Sequence, residues 1–172
     1  DTLNMSGVPV LYTPDTRLAL AQMSKTFFGD PLRDMKLIGV TGTNGKTTVT
    51  YLVKSILEAA GKKVGLIGTN QNMIGDAVIP TERTTPESFE LYKIFRQMAD
   101  AGAEYVVMEV SSHALELHRV GGCKFAVAAF TNLTQDHLDF HGTMEHYYEA
   151  KRKLFDMCES AVINIDDPYG AR

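Results

Sequence analysis

The sequence is poor in cysteine, has no surplus of positive charge and contains no long apolar run. Its two cysteines, Cys123 and Cys158, fit no spacing typical of metal binding or redox chemistry, so we interpret both as reduced cytosolic thiols. A net charge of -4 argues against nucleic acid as a partner. No apolar run approaches the ~20 residues that span a bilayer, and the first residues do not resemble a signal peptide. We therefore expect a cytoplasmic protein without a membrane partner.

The composition that remains is that of an ordinary globular domain. Hydrophobic residues make up 44% and charged residues 22% of 172 residues, which is enough chain for one domain with a sizeable core. The chain begins at Asp1 rather than at a methionine and stops at Arg172, shortly after a strand-like run. We interpret it as a piece of a longer protein.

The most informative stretch is residues 37–48, where a short apolar run gives way to glycines and then to a helical pattern. Residues 37–40 predict a buried strand and residues 41–45 a tight loop. Glycines let the backbone approach an anion closely, Lys46 adds a positive charge for terminal phosphates, and the Thr47 hydroxyl suits a magnesium ion. Val40 stands where the strict pattern has its first glycine, so we identify a Walker-A variant; a corner serving turn geometry alone is the alternative.

Strand and helix patterns alternate along the chain, which predicts an α/β fold with a mostly parallel sheet flanked by helices. We expect the third helix to begin with Thr85 as N-cap and Pro86 in the first position, and Phe89 to lie on its inner face. Other helices are predicted at residues 15–28, 46–60, 112–117 and 143–157, and strands at residues 8–12, 37–40, 64–68, 77–79, 105–110, 125–130 and 161–165.

Polar residues follow several of these strands, where ligands bind to parallel sheets. Glu109 ends one strand and is either a magnesium ligand opposite Thr47 or a carboxylate in a surface salt bridge. Residues 136–141 hold two aspartates and two histidines, which predicts either a second cation site with His137 as ligand or a polar loop whose side chains cap one another. The spacing of His137 and His141 also occurs in zinc hydrolases, but their glutamate is absent, so that class is a weaker alternative.

The sequence is less specific about four further residues, Thr84, Thr85, Arg119 and Lys151. Thr84 and Thr85 suit a helix start and equally a site for an anionic ligand. Arg119 is either a fork for a carboxylate or phosphate or an ordinary surface arginine. Lys151 lies in a basic helical stretch of the kind that usually faces solvent, and the sequence offers no reason to prefer it over Lys153.

These motifs together resemble the Mur ligases, specifically those of the MurE type. The matching runs are residues 41–48, 84–87, 109–115 and 131–142. The first is shared with folylpolyglutamate synthases, and the second and third point to the MurE type. The resemblance covers residues 15–167, about a third of a typical family member. It implies a truncated, P-loop NTPase-like central domain over residues 35–172, preceded at residues 1–34 by the end of an N-terminal domain and a linker, with the rest of the central domain and the C-terminal domain missing.

The resemblance also implies roles for particular residues. Thr47 and Glu109 would share a first Mg²⁺, and His137 with a carbamylated Lys151 (N6-carboxylysine) would hold a second. Carbamylation would turn a cation into an anionic oxygen donor. Contacts to the UDP-muramoyl-dipeptide would come from Thr84, Thr85, Ser111 and Arg119. The ATP phosphates would be held by Gly42, Thr43, Asn44, Gly45, Lys46, Thr47 and Thr48.

The implied activity is that of a monomeric, ATP-dependent ligase of peptidoglycan synthesis. It would add the third stem-peptide amino acid to UDP-N-acetylmuramoyl-dipeptide through an acyl phosphate, releasing ADP and phosphate, although this chain alone would be inactive. The alternatives are another P-loop enzyme, such as a different Mur ligase, a folylpolyglutamate synthase or a nucleotide kinase, and an ATP-binding module without turnover. Residues 164–167 lack the guanine-binding motif, which argues against a GTPase.

Overall fold

The computed structural model describes residues 7–80 and 83–172, and within them seven strands form one sheet. The strands are β1 (Lys36–Thr41), β2 (Val64–Ile67), β3 (Asn72–Ile74), β4 (Ala77–Ile79), β5 (Tyr105–Glu109), β6 (Phe125–Phe130) and β7 (Cys158–Ile163). Their spatial order is β4-β3-β2-β5-β1-β6-β7. The five strands from β2 to β7 in that order pair in parallel, whereas β3 pairs antiparallel with both β2 and β4. The predicted mostly parallel sheet is therefore confirmed.

Most of the helices lie between successive strands of the sheet, whereas the first precedes β1 and packs against the third. They are α1 (Thr16–Phe27), α2 (Lys46–Ala59), α3 (Ser88–Asp100), α4 (Ser112–Glu116), α5 (Leu138–His141) and α6 (Met144–Arg152), with a 3₁₀ turn at Phe155–Met157. Asp15 caps α1, since its carboxylate accepts a hydrogen bond of 2.9 Å from the Leu18 amide. Among the described residues, no helix is both long enough and apolar enough to span a bilayer.

The main core lies between α3 and the sheet. Tyr92, Phe95 and Met98 of α3 are fully buried there with β5 residues such as Val106. A Cβ at Gly65 of β2 would lie 2.4 Å from the Met98 sulfur, so the lack of a side chain there lets Met98 pack closely on the strand. A smaller cluster on the other face joins β2 and β5 to α2.

The start of α3 differs from the prediction. The helix begins at Ser88 with Glu87 as N-cap and no side-chain cap, so the assignments of Thr85 as cap and Pro86 as first position are wrong. The Thr85 hydroxyl instead donates to the Glu109 backbone carbonyl. Phe89 is 44% exposed and packs beside the Phe28 ring rather than in the main core.

Three strand predictions also need correction. Residues 8–12 form no strand, because this exposed segment pairs with neither edge of the sheet. Asn72–Ile74 forms β3, which pairs with β2, although no strand was predicted there. The helix predicted over residues 143–157 ends at Arg152, and β7 begins at Cys158 rather than residue 161 because it pairs with Phe125 of β6 there.

Candidate functional site

The loop between β1 and α2 has the backbone that an anion-binding loop requires. Gly45 is the N-cap of α2 with φ 85° and no side-chain cap, and Gly42 has φ 148°. A Cβ at Gly42 would lie 1.9 Å from the Thr131 hydroxyl, so this position has room for glycine alone. The first amides of the 14-residue helix α2 therefore follow an open, glycine-formed turn at the positive end of the helix.

The segment after β6 holds this loop in place. The Thr43 amide donates to the Asn132 carbonyl at 2.8 Å, and the Asn44 amide donates to the Asn132 side-chain oxygen at 3.0 Å. The Thr131 hydroxyl donates to the Asn44 carbonyl at 2.7 Å. Neither Thr131 nor Asn132 was assigned a role from the sequence, although both lie in a run of polar residues that directly follows a strand.

Lys46 folds back over the loop. Its ammonium donates to the carbonyls of Gly42 and Thr43, both at 2.9 Å. Burial lowers the pKa of Lys46, and the carboxylates of Glu109 and Asp136 partly oppose this effect. The side chain thus places its positive charge at the mouth of the predicted phosphate loop.

Glu109 lies beside this loop because β5 pairs with β1 so that Glu109 stands opposite Val40. Its carboxylate is 1% exposed and accepts the Thr47 hydroxyl at 2.9 Å. Thr69, which follows β2, donates its amide at 2.9 Å to the same oxygen and lies with its hydroxyl 3.0 Å from the other. The interpretation of Glu109 as a surface salt bridge is therefore wrong. No sequence pattern had singled out Thr69.

The donor set of Thr47 and Glu109 suits a hard cation, since a hydroxyl and a carboxylate oxygen are ligands that Mg²⁺ accepts. Across residues 7–80 and 83–172, no group of three or more His, Cys, Asp or Glu side chains is arranged to hold a metal ion. A cation at Glu109 would thus require the Thr47 oxygen and oxygens from a bound phosphate.

Four predicted substrate contacts lie on the other side of Glu109. The Thr85 hydroxyl donates to the Glu109 carbonyl at 3.0 Å and accepts the Ser111 amide at 3.2 Å. Thr84 lies with its hydroxyl 3.0 Å from that of Thr69. Arg119 donates to the Thr85 carbonyl at 3.2 Å, so the structure brings all four residues to the edge of the sheet where the phosphate loop lies.

Arg119 is also an ion-pair partner rather than an isolated surface arginine. Its guanidinium lies 3.0 Å from the Glu87 carboxylate, and its side chain is 13% exposed. Burial lowers the pKa of Arg119, and Glu87 opposes this effect. An anionic ligand at Arg119 would therefore have to share the guanidinium with Glu87.

The structure separates Lys151 from Lys153. Lys151 is 3% exposed, donates to the Gly42 carbonyl at 2.8 Å, and lies with its ammonium 4.6 Å from the centre of the Tyr147 ring. Burial and the nearby Lys46 ammonium lower the pKa of Lys151 to about 7. Lys153 is partly exposed and pairs with Glu116. A solvent-facing basic surface therefore describes Lys153 and not Lys151.

The two histidines of the 136–141 segment have different surroundings. His137 is exposed with φ 51°, and its ring lies 6.1 Å edge-on from the Tyr147 ring that also contacts Lys151. His141 is buried, with Nε2 2.9 Å from the Ser112 hydroxyl. Because His141 is bound to Ser112, the two histidines do not form the pair that a zinc hydrolase would need. His137 also contacts Asp136, with 3.4 Å between ring nitrogen and carboxylate.

The chain is similar to known proteins over most of its length. Residues 40–172 match the family model described as Mur ligase middle domain. The UDP-N-acetylmuramoyl-L-alanyl-D-glutamate--2,6-diaminopimelate ligase of Clostridium perfringens is 57% identical over 171 residues, covering 99% of this chain and 35% of the relative. The ligase of the same name from Clostridium tetani is 58% identical over 158 residues, covering 92% of this chain and 33% of the relative. The chain thus spans about a third of the length of the curated relatives it matches.

Solved structures give the same fold. A structure of a UDP-N-acetylmuramoyl-L-alanyl-D-glutamate--2,6-diaminopimelate ligase has a TM-score of 0.86 at 35% identity, covering 96% of this chain and 34% of that one. A folylpolyglutamate synthase of Mycobacterium tuberculosis complexed with ADP has a TM-score of 0.71 at 18% identity, covering 93% of this chain and 44% of that one. At that identity the second likeness shows the fold alone.

Proposed function

The chain belongs to the Mur ligase family, and we propose that the protein containing it is an ATP-dependent ligase of peptidoglycan synthesis. It would join an amino acid to UDP-N-acetylmuramoyl-L-alanyl-D-glutamate. Relatives that are 57% and 58% identical carry this substrate and 2,6-diaminopimelate in their names, so 2,6-diaminopimelate is the first acceptor to test. The residues that select the acceptor would lie outside this chain.

One observation carries the proposal: the Gly42 carbonyl accepts hydrogen bonds from both Lys46 and Lys151, next to the Thr47–Glu109 pair. Two buried or half-buried ammonium groups converge on a glycine loop at a helix N-terminus. Such an arrangement favours a multiply charged anion, and a nucleotide triphosphate supplies one. Residues 42–48 would hold its phosphates, with Lys46 at the terminal ones.

Two pairs of residues near the phosphate loop would each hold a Mg²⁺ ion. Thr47 and Glu109 would hold one Mg²⁺, which when bound would neutralise charge on the phosphate oxygens. His137 and a carbamylated Lys151 would hold the second. At neutral pH a lysine with a pKa of about 7 is partly an uncharged amine. That amine can add to CO₂, forming an N–C bond and releasing one proton, to give an anionic oxygen donor.

The substrate would lie across the edge formed by Thr84, Thr85, Ser111 and Arg119. A carboxylate of the substrate would attack the γ-phosphate, breaking its bond to the β-phosphate oxygen, so that ADP leaves and an acyl phosphate forms. The amine of the incoming amino acid would then displace phosphate and lose a proton to form the amide. Lys46 and the amides at the start of α2 would stabilise the charge on the transferred phosphoryl group, because phosphoryl transfer depends chiefly on positioning and electrostatics.

The domain organisation is part of the same proposal. Residues 35–172 would be the first part of the central ATP-binding domain, and residues 1–34 the end of an N-terminal domain with a linker, of which residues 1–6 lie outside the described structure. The complete enzyme would be a cytoplasmic monomer, and the chain alone would be inactive because the remaining two thirds of its relatives' length are not part of it. A folylpolyglutamate synthase would share the nucleotide site but not the muramoyl substrate.

The test is ADP release by the complete protein with ATP and Mg²⁺, with and without UDP-muramoyl-alanyl-glutamate and a panel of amino acids. We expect release to require the muramoyl dipeptide and one amino acid. Lys151→Ala should lower turnover and be partly rescued by short carboxylic acids, whereas the matched Lys153→Ala should behave like the wild type. Release that ignores the muramoyl dipeptide would refute the ligase proposal, and equal turnover of both variants would remove Lys151 from the site.

A further inference from the structure

We propose that Thr69 is a positioning residue, which fixes the Glu109 carboxylate for a divalent cation and joins it to the Thr84 hydroxyl. Thr69 follows β2 by two residues, outside the phosphate loop and outside the motifs that predicted the site. The inference rests on the proposed function, because it assumes that Glu109 binds the cation of a metal–nucleotide complex.

The geometry around Glu109 carries this inference. Its Oε1 accepts from the Thr69 amide and from the Thr47 hydroxyl, each at 2.9 Å. Its Oε2 lies 3.0 Å from the Thr69 hydroxyl. One residue therefore contacts both carboxylate oxygens, which fixes the rotation of the carboxylate plane in a way that a single donor cannot.

The backbone before Thr69 is adapted to this contact. A Cβ at Gly68 would lie 2.5 Å from Oε1 of Glu109, so a residue with a side chain would displace the carboxylate from this position. The Gly68 amide is itself held by the Asn72 side-chain oxygen at 3.3 Å. Gly68 thus allows the Thr69 amide and hydroxyl to reach Glu109 together.

Counting hydrogens fixes the direction of the chain of hydroxyls. The Thr69 hydroxyl has one hydrogen and two neighbours at 3.0 Å, Glu109 Oε2 and Thr84 Oγ1. Thr69 donates this hydrogen to Oε2 of Glu109, so the contact between Thr69 and Thr84 needs Thr84 as its donor. Among residues 7–80 and 83–172 no other group donates to the Thr84 oxygen, so its lone pairs can accept a hydrogen bond from a ligand. A continuous chain of hydrogen bonds therefore links the hydroxyls of Thr84 and Thr69, the Glu109 carboxylate and the Thr47 hydroxyl.

This arrangement matters most when a cation is present. A cation bound by the Thr47 oxygen and Glu109 would pull on the carboxylate, and the two Thr69 donors would then keep it oriented. Groups that orient metal ligands typically change metal affinity or activity by about 10- to 100-fold when they are removed. Thr69→Val keeps the shape and the amide but removes the hydroxyl.

The experiment measures binding rather than turnover. For the complete protein, the free Mg²⁺ concentration that gives half-maximal binding of a non-hydrolysable ATP analogue is determined by calorimetry. We expect Thr69→Val to raise this concentration by about tenfold or more, and Thr69→Ser, which retains the hydroxyl, to restore it. Thr50→Val is the matched control, because its buried hydroxyl donates at 2.9 Å to the Thr47 carbonyl instead of to a carboxylate.

The outcomes separate the two proposals. If the wild type and Thr50→Val need Mg²⁺ and Thr69→Val needs no more of it than they do, the role of Thr69 is refuted while the proposed function stands. If Thr69→Ser fails to recover the wild-type value, packing rather than the hydroxyl is responsible, and the role is again refuted. If the wild type binds the analogue equally well without Mg²⁺, both the cation site at Glu109 and the inference about Thr69 fail.

Discussion

Gly42→Ala is the substitution for which the structure makes the most specific quantitative prediction. Gly42 has φ 148°, a conformation that residues with side chains rarely adopt, and an added methyl group would lie 1.9 Å from the Thr131 hydroxyl. Backbone atoms of Asn132 lie 3.1 and 3.2 Å from the same point, which leaves the methyl group no open direction. The variant must therefore move the phosphate loop away from the segment after β6 or displace the Thr131 side chain.

The cost has two parts. Holding a residue with a side chain in a sparsely populated backbone region costs about 1–3 kcal/mol. Displacing Thr131 loses its hydrogen bond of 2.7 Å to the Asn44 carbonyl, which is worth about 1 kcal/mol net. The closed loop should therefore be less stable by about 2–4 kcal/mol, and since each 1.4 kcal/mol is a factor of ten, opening should become roughly 30- to 1,000-fold more frequent.

Hydrogen–deuterium exchange measures this opening directly. The amides of Thr43 and Asn44 are held by Asn132 at 2.8 and 3.0 Å, so their exchange reports whether the loop has separated from the segment after β6. The control is Gly102→Ala, because Gly102 also has a positive φ, 78°, but nothing lies within 4 Å of its added Cβ. We expect Gly102→Ala to leave exchange at Thr43 and Asn44 unchanged.

An unchanged exchange rate in Gly42→Ala would refute the reasoning. It would mean that the loop accepts a side chain without losing its contacts to Asn132, and that the close approach of Gly42 to Thr131 is not what requires glycine. Faster exchange at Thr43 and Asn44 in both variants would show a general effect of positive-φ strain and would equally count against a local steric cause.

Two further substitutions test the electrostatics and the core. Because the pKa of Lys151 is about 7 in the folded protein and about 10.5 when exposed, the unfolded chain binds the extra proton between those pH values and stability should rise with pH there. Lys151→Met should flatten this rise by up to about 1.4 kcal/mol per pH unit, measured from urea midpoints in CO₂-free buffer; parallel curves would contradict the lowered pKa. Tyr92→Phe removes a buried donor to the Gly121 carbonyl at 2.9 Å and should destabilise the protein by about 1–3 kcal/mol in urea unfolding; an unchanged midpoint would show that the carbonyl finds another donor.

The sequence predicted best the parts of the fold that depend on local pattern. The strand–loop–helix unit around Gly42 and Lys46 has apolar periodicity, glycines and a helix start in immediate succession, and all three appear in the structure. β3 was missed because three residues beginning with the polar Asn72 form a strand only by pairing with β2. Thr85 was assigned to a helix cap because the alternative partner of its hydroxyl, the Glu109 carbonyl, lies 24 residues away along the chain.

In the candidate site, too, contacts between residues far apart along the chain could not be predicted from the sequence. Sequence spacing could not separate Lys151 from Lys153, since both lie on one short helical stretch and differ only in what the fold places against them. Lys151 contacts Gly42, and Lys153 contacts Glu116. Thr69 could not be predicted either, because its hydrogen bonds to Glu109 form only when β2 and β5 become neighbours in the sheet.

The shared Gly42 carbonyl explains why these residues should act as one unit. Lys46 and Lys151 donate to the same oxygen at 2.9 and 2.8 Å, so two positive charges are held together around one neutral acceptor. Burial lowers the pKa of both lysines, and the charge of Lys46 lowers that of Lys151 further. An anion bound beside either lysine would relieve this repulsion. Phosphate groups at Lys46 would therefore favour the ammonium form of Lys151, whereas a carbamate on Lys151 would remove one of the two positive charges and favour the ammonium form of Lys46.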